Sequence, residues 1–315
     1  MSESTVTTVT TVTTDPAVGR GDDAPQATDD LRQASLWSDA WRQLRRSKLF
    51  VVAAAVLVLL AVMAAFPALF SSISPTEAGN CQLSNSKVTP SGDAWFGYDI
   101  QGCDHYANVI YGARVSMIIG LVVVGLGTLV GVVLGALSGF FGGWFDVLMA
   151  RVTDIFFGVP LLLGAIIILN VFSSRGLAQV CIALIVLGWP TTLRLFRASV
   201  ISVKDTDYVA AARALGASNG RILVKHILPN ALAPVLVYST IAVGGIIAAE
   251  ATLSFLGIGL QQPAVSWGLQ IGGGQRLIRT APHIILFPSV FLSVTVLSFI
   301  LLGDALRDAL DPKLR

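Results

Sequence analysis

Residues 115–145 read VSMIIGLVVVGLGTLVGVVLGALSGFFGGWF, 31 positions without a charged side chain. A hydrocarbon core about 30 Å thick is crossed by roughly 20 apolar residues in helical form, so this run is long enough to span a bilayer. Leu, Val, Ile and Gly follow one another without strict alternation, which argues for a helix rather than a barrel strand with one polar face. Working outward from it, five further charge-free runs occupy residues 49–70, 155–174, 176–193, 227–249 and 284–303. The expectation is an all-α integral membrane protein with six transmembrane helices. A cleaved leader would place its apolar stretch near the N-terminus. Here the first run begins at Leu49, behind a polar stretch, and is expected to remain in the protein.

The rest of the composition agrees. Of 315 residues, 54% are hydrophobic and 13% charged, against about 25% charged in ordinary soluble domains. Threading six helices alternately, with the N-terminus inside, puts 16 of the 21 Lys and Arg residues on the inner side, so both termini are expected to be cytoplasmic. The formal net charge of +2 reflects bases spread along that inner face, not one soluble basic surface, and gives no reason to expect a nucleic-acid partner.

Residues 1–34 are rich in Thr, Asp and Pro and carry too few large apolar groups to offset ordering entropy, so a disordered cytoplasmic tail is expected. In residues 35–48, Leu36, Trp37, Ala40, Trp41 and Leu44 recur at helical spacing, with Arg42, Arg45, Arg46 and Lys48 near the other side. This reads as an amphipathic elbow in the headgroup region, or equally as the basic anchor of the first span. Residues 49–315 then form the six-helix domain. Its exoplasmic segment 71–114 holds Cys81 and Cys103, which could form a disulfide or remain two free thiols; Cys181 reads as a small core residue.

Chemistry is scarce. No G-x-x-x-x-G-K-[ST] phosphate loop occurs, so ATP hydrolysis by that mechanism is not expected of this chain. His105, His226 and His283 fall in different loops and have no metal-ligand spacing. No G-x-S-x-G elbow is present, which argues against a membrane hydrolase. Asp154, Glu250 and Asp304 lie at the edges of apolar runs, and intramembrane charge is costly enough to be a functional hypothesis. For Glu250 two readings stand: an ion or proton site of a secondary transporter, or an outer helix end packed through hydrogen bonds.

The cytoplasmic loop 194–230 is too long for a tight turn. Within it Asp207 is a possible N-cap, Tyr208, Val209, Ala210, Ala211, Ala212, Arg213, Ala214 and Leu215 suit a short helix, and Gly216, before Ala217 and Ser218, suits its stop. Arg221 to Asn230 reads as a second helical piece that enters the fifth span, with Pro229 near its start.

The order Tyr208 to Gly216 followed by His226-Ile227-Leu228-Pro229-Asn230 resembles the cytoplasmic EAA loop of ABC importer permeases of the dipeptide/oligopeptide/nickel group. Phe96-Gly97-Tyr98-Asp99, Gly102-Cys103-Asp104, Ile110-Tyr111-Gly112-Ala113-Arg114, Leu253-Ser254-Phe255-Leu256-Gly257-Ile258-Gly259, Ser266-Trp267-Gly268 and the stretch from Gly303 to Pro312 are similar to the same group, the last to its "C"-type subunit. The resemblance covers most of residues 35–315. It implies the ABC permease fold and a plasma-membrane subunit of a peptide importer. The implied partners are a second permease subunit, two ATPase subunits or domains and an external substrate-binding protein. No cofactor is implied in this chain, ATP and magnesium being bound by the ATPase. Asp207, Tyr208, Ala211, Ala212, Arg213, Leu215, Gly216, Ala217 and Ser218 would form the ATPase-coupling element. The family's usual glutamate before the paired alanines is Ala210 here, Cys103 stands where many relatives carry arginine, and Tyr98 replaces a threonine.

Overall fold

The computed structural model describes residues 36–75, 77 and 79–310; the expected tail, residues 1–34, lies outside them. Among the described residues regular structure is helical, apart from an isolated bridge between Tyr98 and Asp104. The helices are α1 (Leu36–Arg46), α2 (Lys48–Ala65), α3 (His105–Phe141), α4 (Gly143–Phe157), α5 (Leu161–Leu169), α6 (Leu177–Lys204), α7 (Asp207–Ala214), α8 (Asn219–Arg221), α9 (Leu228–Ala231), α10 (Ala233–Phe255), α11 (Trp267–Gly274) and α12 (His283–Leu310).

Five of these, α2, α3, α6, α10 and α12, are long and apolar enough to cross a membrane. The third expected span is not one straight helix. It is the pair α4 and α5, bent by 86° across Gly158, Val159 and Pro160. Pro160 lacks the amide proton a continuing helix needs, and its ring disfavours helical backbone at the residue before it. The second run also divides, because the chain takes positive φ at Gly142 (64°) and Gly143 (66°), ending α3 and starting α4.

The helices extend beyond the charge-free runs at several points. α3 begins at His105, ten residues before the apolar run, because Asp104 Oδ1 accepts from the Ala107 amide at 2.9 Å and caps it. Arg114, which closed the exoplasmic segment on paper, sits inside this helix and donates to the carbonyls of Ala64 and Ala65 at 2.9 Å each, satisfying the end of α2. Likewise α6 does not stop at Leu193 but continues to Lys204. Its Arg194 and Arg197 are tolerated there because they pair with Asp154 and Asp146.

The packing of α3 on α6 depends on missing side chains. A Cβ at Gly131 would lie 2.6 Å from Thr192 Cβ, one at Gly135 2.8 Å from the Leu193 carbonyl oxygen, and one at Gly139 2.9 Å from that of Arg197. Four-residue spacing of glycine lets two backbones approach closely, the usual route to helix association where lipid removes the hydrophobic drive. One apolar cluster groups Leu57, Leu60, Ile110, Met117, Ile247 and Trp267 from α2, α3, α10 and α11, and a second groups Ile119, Leu169, Val180, Leu184 and Leu253 from α3, α5, α6 and α10. α1 docks on the end of α12 through Leu44 against Ala305 and Ala309, and Ser47 Oγ caps α2 by accepting from the Phe50 amide at 3.3 Å.

Candidate functional site

Between α6 and α10 the chain leaves the span region and returns through α7, α8, a π-helical segment (Ile222–Ile227) and α9. α7 is anchored by one side chain: Val209 is fully buried in a cluster with Phe196, Val200, Ile222 and Ile227. Asp207 is its first helical residue and not its cap. Thr206 occupies the cap position, but its hydroxyl donates back to the Val203 carbonyl at 2.7 Å, so no side chain closes this end.

The other end closes as expected. Gly216 has φ 79°; its amide donates to the Arg213 carbonyl and the Ala217 amide to that of Ala212, both at 3.0 Å. This pair of bonds is a Schellman motif, which needs a left-handed residue where Gly216 stands. Ser218 Oγ then caps α8 by accepting from the Arg221 amide at 3.4 Å.

Of the nine residues read as the coupling element, Asp207, Tyr208, Ala211, Arg213, Leu215, Gly216 and Ser218 are exposed, while Ala212 and Ala217 are half-buried. Ala210, in the family's glutamate position, is exposed too. Tyr208 is 44% and Leu215 89% exposed. Seven residues apart, they fall on one side with Ala211 and Ala212 between them. The result is an apolar ridge with exposed Arg213, Arg221 and Lys225 near it in sequence. Such a ridge can fill a groove on another protein.

At the opposite ends of α3, α10 and α12 lies a second polar region. Cys81 and Cys103 are joined by a disulfide. Asp99 Oδ1 accepts from the Gln101 and Cys103 amides at 2.8 and 2.9 Å, and its Oδ2 from Asn108 Nδ2 at 2.8 Å. Burial pushes the Asp99 carboxyl above its usual range, and these hydrogen bonds oppose that shift. A cavity of about 590 Å³ lies between this segment and Gln262, Ser266 and Gln270. Residues 257–283 contain α11, and Trp267 at its start is fully buried with Nε1 donating to the Val109 carbonyl at 2.9 Å.

Glu250 is wholly buried; its Oε1 accepts from Ser254 Oγ at 2.7 Å and Ser266 Oγ at 3.0 Å. His105 and His283 do not lie in separate loops. They open α3 and α12, and their rings meet edge to face with centroids 6.3 Å apart. Among the described residues no group of three or more His, Cys, Asp or Glu side chains could hold a metal ion. Charge patterning hinted at Asp154 but did not identify its partner Arg194, nor the pairing of Asp146 with Arg197, because each pair joins residues about 40 to 50 positions apart.

Residues 131–315 match the family described as "Binding-protein-dependent transport system inner membrane component", and residues 35–84 that described as "N-terminal TM domain of oligopeptide transport permease C". The oligopeptide transport system permease protein OppC of Bacillus subtilis is 39% identical over 301 residues, 96% of this chain and 97% of that protein. The dipeptide transport system permease protein DppC of Alkalihalophilus pseudofirmus is 37% identical over 93% of this chain and 95% of its own. The glutathione transport system permease protein GsiD of Escherichia coli O157:H7 is 38% identical over 89% and 91%. A solved structure of the MetNI methionine ABC transporter, in inward-facing conformations, aligns with a TM-score of 0.54 over 65% of this chain and 96% of its own, at 21% identity. At that identity the likeness concerns the fold alone.

Proposed function

The chain belongs to the binding-protein-dependent transport system inner membrane components, in the peptide-permease branch of "C" type, and from that premise we propose that it forms half of the translocation pathway of an ATP-driven peptide importer. The second half is a homologous permease subunit. Peptide arrives on an external binding protein that docks on the side carrying the Cys81–Cys103 disulfide and α11. Energy comes from two ATPase subunits or domains that bind ATP and magnesium on the other side, which we place in the cytoplasm together with both termini. The chain itself performs no catalysis. Oligopeptides and dipeptides are the substrates best supported, since two of the relatives just described are named for them.

The observation that carries the coupling role is the exposed ridge of α7. An 89% exposed Leu215 beside Tyr208, on a helix anchored through Val209, is what a soluble partner's groove would accept. We assign Asp207, Tyr208, Ala211, Ala212, Arg213, Leu215, Gly216, Ala217 and Ser218 to that contact. Ala210 cannot make the hydrogen bonds its relatives' glutamate would, so apolar fit and the nearby bases bear more of the docking. Residues 35–48 serve as the interfacial elbow of the first span, and residues 1–34 as a cytoplasmic tail.

Reconstitution tests this reading. The chain is purified in mild detergent with its neighbouring permease, ATPases and binding protein, then placed in liposomes. Uptake of a labelled oligopeptide should require ATP and the binding protein. Purification without any P-loop ATPase, or uptake unaffected by an ATPase that cannot hydrolyse ATP, would refute it.

A further inference from the structure

α4 is fastened to the rest of the described chain mainly by polar contacts. Of its fifteen residues only Thr153 is buried, while Trp144, Val147, Leu148, Ile155 and Phe157 are exposed. Apart from an edge-to-face contact of Phe156 with Trp189 of α6, ring centroids 5.5 Å apart, apolar packing does little to set its position. Asp146 holds Arg197 of α6 in a two-pronged contact, Nε on Oδ1 and Nη2 on Oδ2, the latter at 2.6 Å, and Ser138 Oγ also donates to Oδ1. About two turns on, Asp154 holds Arg194 Nη2; the same guanidinium donates through Nε to Thr153 Oγ1 at 3.1 Å and lies 4.2 Å from the Phe157 ring centre.

Half-exposed ion pairs of this kind contribute little to stability. A forked arginine–carboxylate contact, however, fixes orientation as well as distance. Both ends of α4 are breaks in the helical path. Gly142 and Gly143 hold positive φ with open space where a Cβ would sit, and the 86° bend across residues 158–160 separates α4 from α5. α6, meanwhile, continues without a break from Arg194 to Lys204, and only Asp205 and Thr206 separate it from α7.

We propose that the Asp146–Arg197 and Asp154–Arg194 pairs are the positioning contacts that make α4 move with α6, so that a displacement imposed on α7 reaches the broken span. This rests on the reading of α7 as the element the ATPases drive. α4 then swings about its glycine end and its bend as a tethered flap, and its exposed apolar side changes place against whatever surrounds it. Breaking a tether frees the flap from the stroke while the ATPases continue to cycle.

The test uses the whole complex in liposomes, with peptide uptake and ATP hydrolysis measured on the same preparation. Asp146→Arg and Arg197→Asp should each lower uptake per ATP hydrolysed about tenfold, within the 5- to 150-fold range of ordinary site-to-site couplings. ATP hydrolysis should stay responsive to loaded binding protein. The exchange Asp146→Arg with Arg197→Asp should restore most of the ratio, and Asp154→Arg with Arg194→Asp should behave alike. Where a charge reversal prevents assembly, Asp146→Asn and Arg197→Gln give the same measurement with size retained. Single variants with the wild-type ratio would overturn the proposal, as would exchanged pairs no better than the singles. Wild-type uptake that ignored ATP would instead strike the import reading beneath it.

Discussion

Ser266 Oγ, the cap of α11, donates to Glu250 Oε1 at 3.0 Å inside the closed interior, and Ser254 Oγ one turn along α10 donates to the same oxygen at 2.7 Å. Glu250 is thus a cross-brace between the end of α10 and α11, and no second carboxylate or histidine is hydrogen-bonded to it among the described residues.

If the brace is its role, Glu250→Gln keeps an acceptor oxygen for both serines and should retain uptake within about threefold, whereas Glu250→Leu strands two buried hydroxyls at a cost of about 1–3 kcal/mol each. Thermal unfolding of the detergent-purified complex and peptide uptake would be compared for the two. A Gln variant that is stable yet transports nothing would point to an ion site instead.

Gly216 has open space around its missing Cβ, so a larger residue there meets no clash, only the left-handed backbone, worth about 1–2 kcal/mol against an ordinary side chain. Gly216→Val should therefore insert and pair with its partner permease normally while the end of α7 rearranges. The expected readout is loss of ATPase co-purification and of uptake; Gly216→Asn should be much milder. Normal ATPase retention in the valine variant would exclude the Schellman turn from docking.

At Gly135 the opposite holds, since a Cβ would lie 2.8 Å from one backbone atom of α6 and 3.2 Å from another. Gly135→Leu should force α3 and α6 apart and cost at least about 1–3 kcal/mol, as overpacked cores do. Monodispersity and melting temperature in detergent would report it. Gly125, which has nothing within 4 Å of the added atom, is the control position.

The Cys81–Cys103 bridge closes a sequence separation of 22 residues, for which the chain-entropy estimate is about 3 kcal/mol. Reductant should lower the melting temperature of the wild type but not of Cys81→Ser with Cys103→Ser. A wild type indifferent to reductant would show that the outer segment is held by its hydrogen bonds alone, those of Asp99 foremost.

How much of this was legible depends on the distance over which each feature is decided. Apolar runs, the helix around Arg45 and the glycine stop at Gly216 are local, and they appeared at or near the positions read for them. The helix boundaries were not local. Arg114, Arg194 and Arg197 look like the ends of membrane segments until their partners are known: two carbonyls at the end of α2 for the first, Asp154 and Asp146 for the others. Pairing offsets part of the desolvation cost that makes a lone charge mark a boundary.

Composition by itself determined that this is a helical membrane protein, because bilayer thickness and backbone satisfaction leave few options for such runs, and the order of its motifs carried the resemblance to ABC importer permeases. Only the tertiary structure decided that Glu250 is braced by two serines, that His105 meets His283, and that α4 is held to α6 by two arginines. Apart from Ser254, one turn from Glu250, those contacts join residues 16 or more positions apart, and no local pattern of hydrophobicity or spacing encodes which polar group another will meet once the helices have packed.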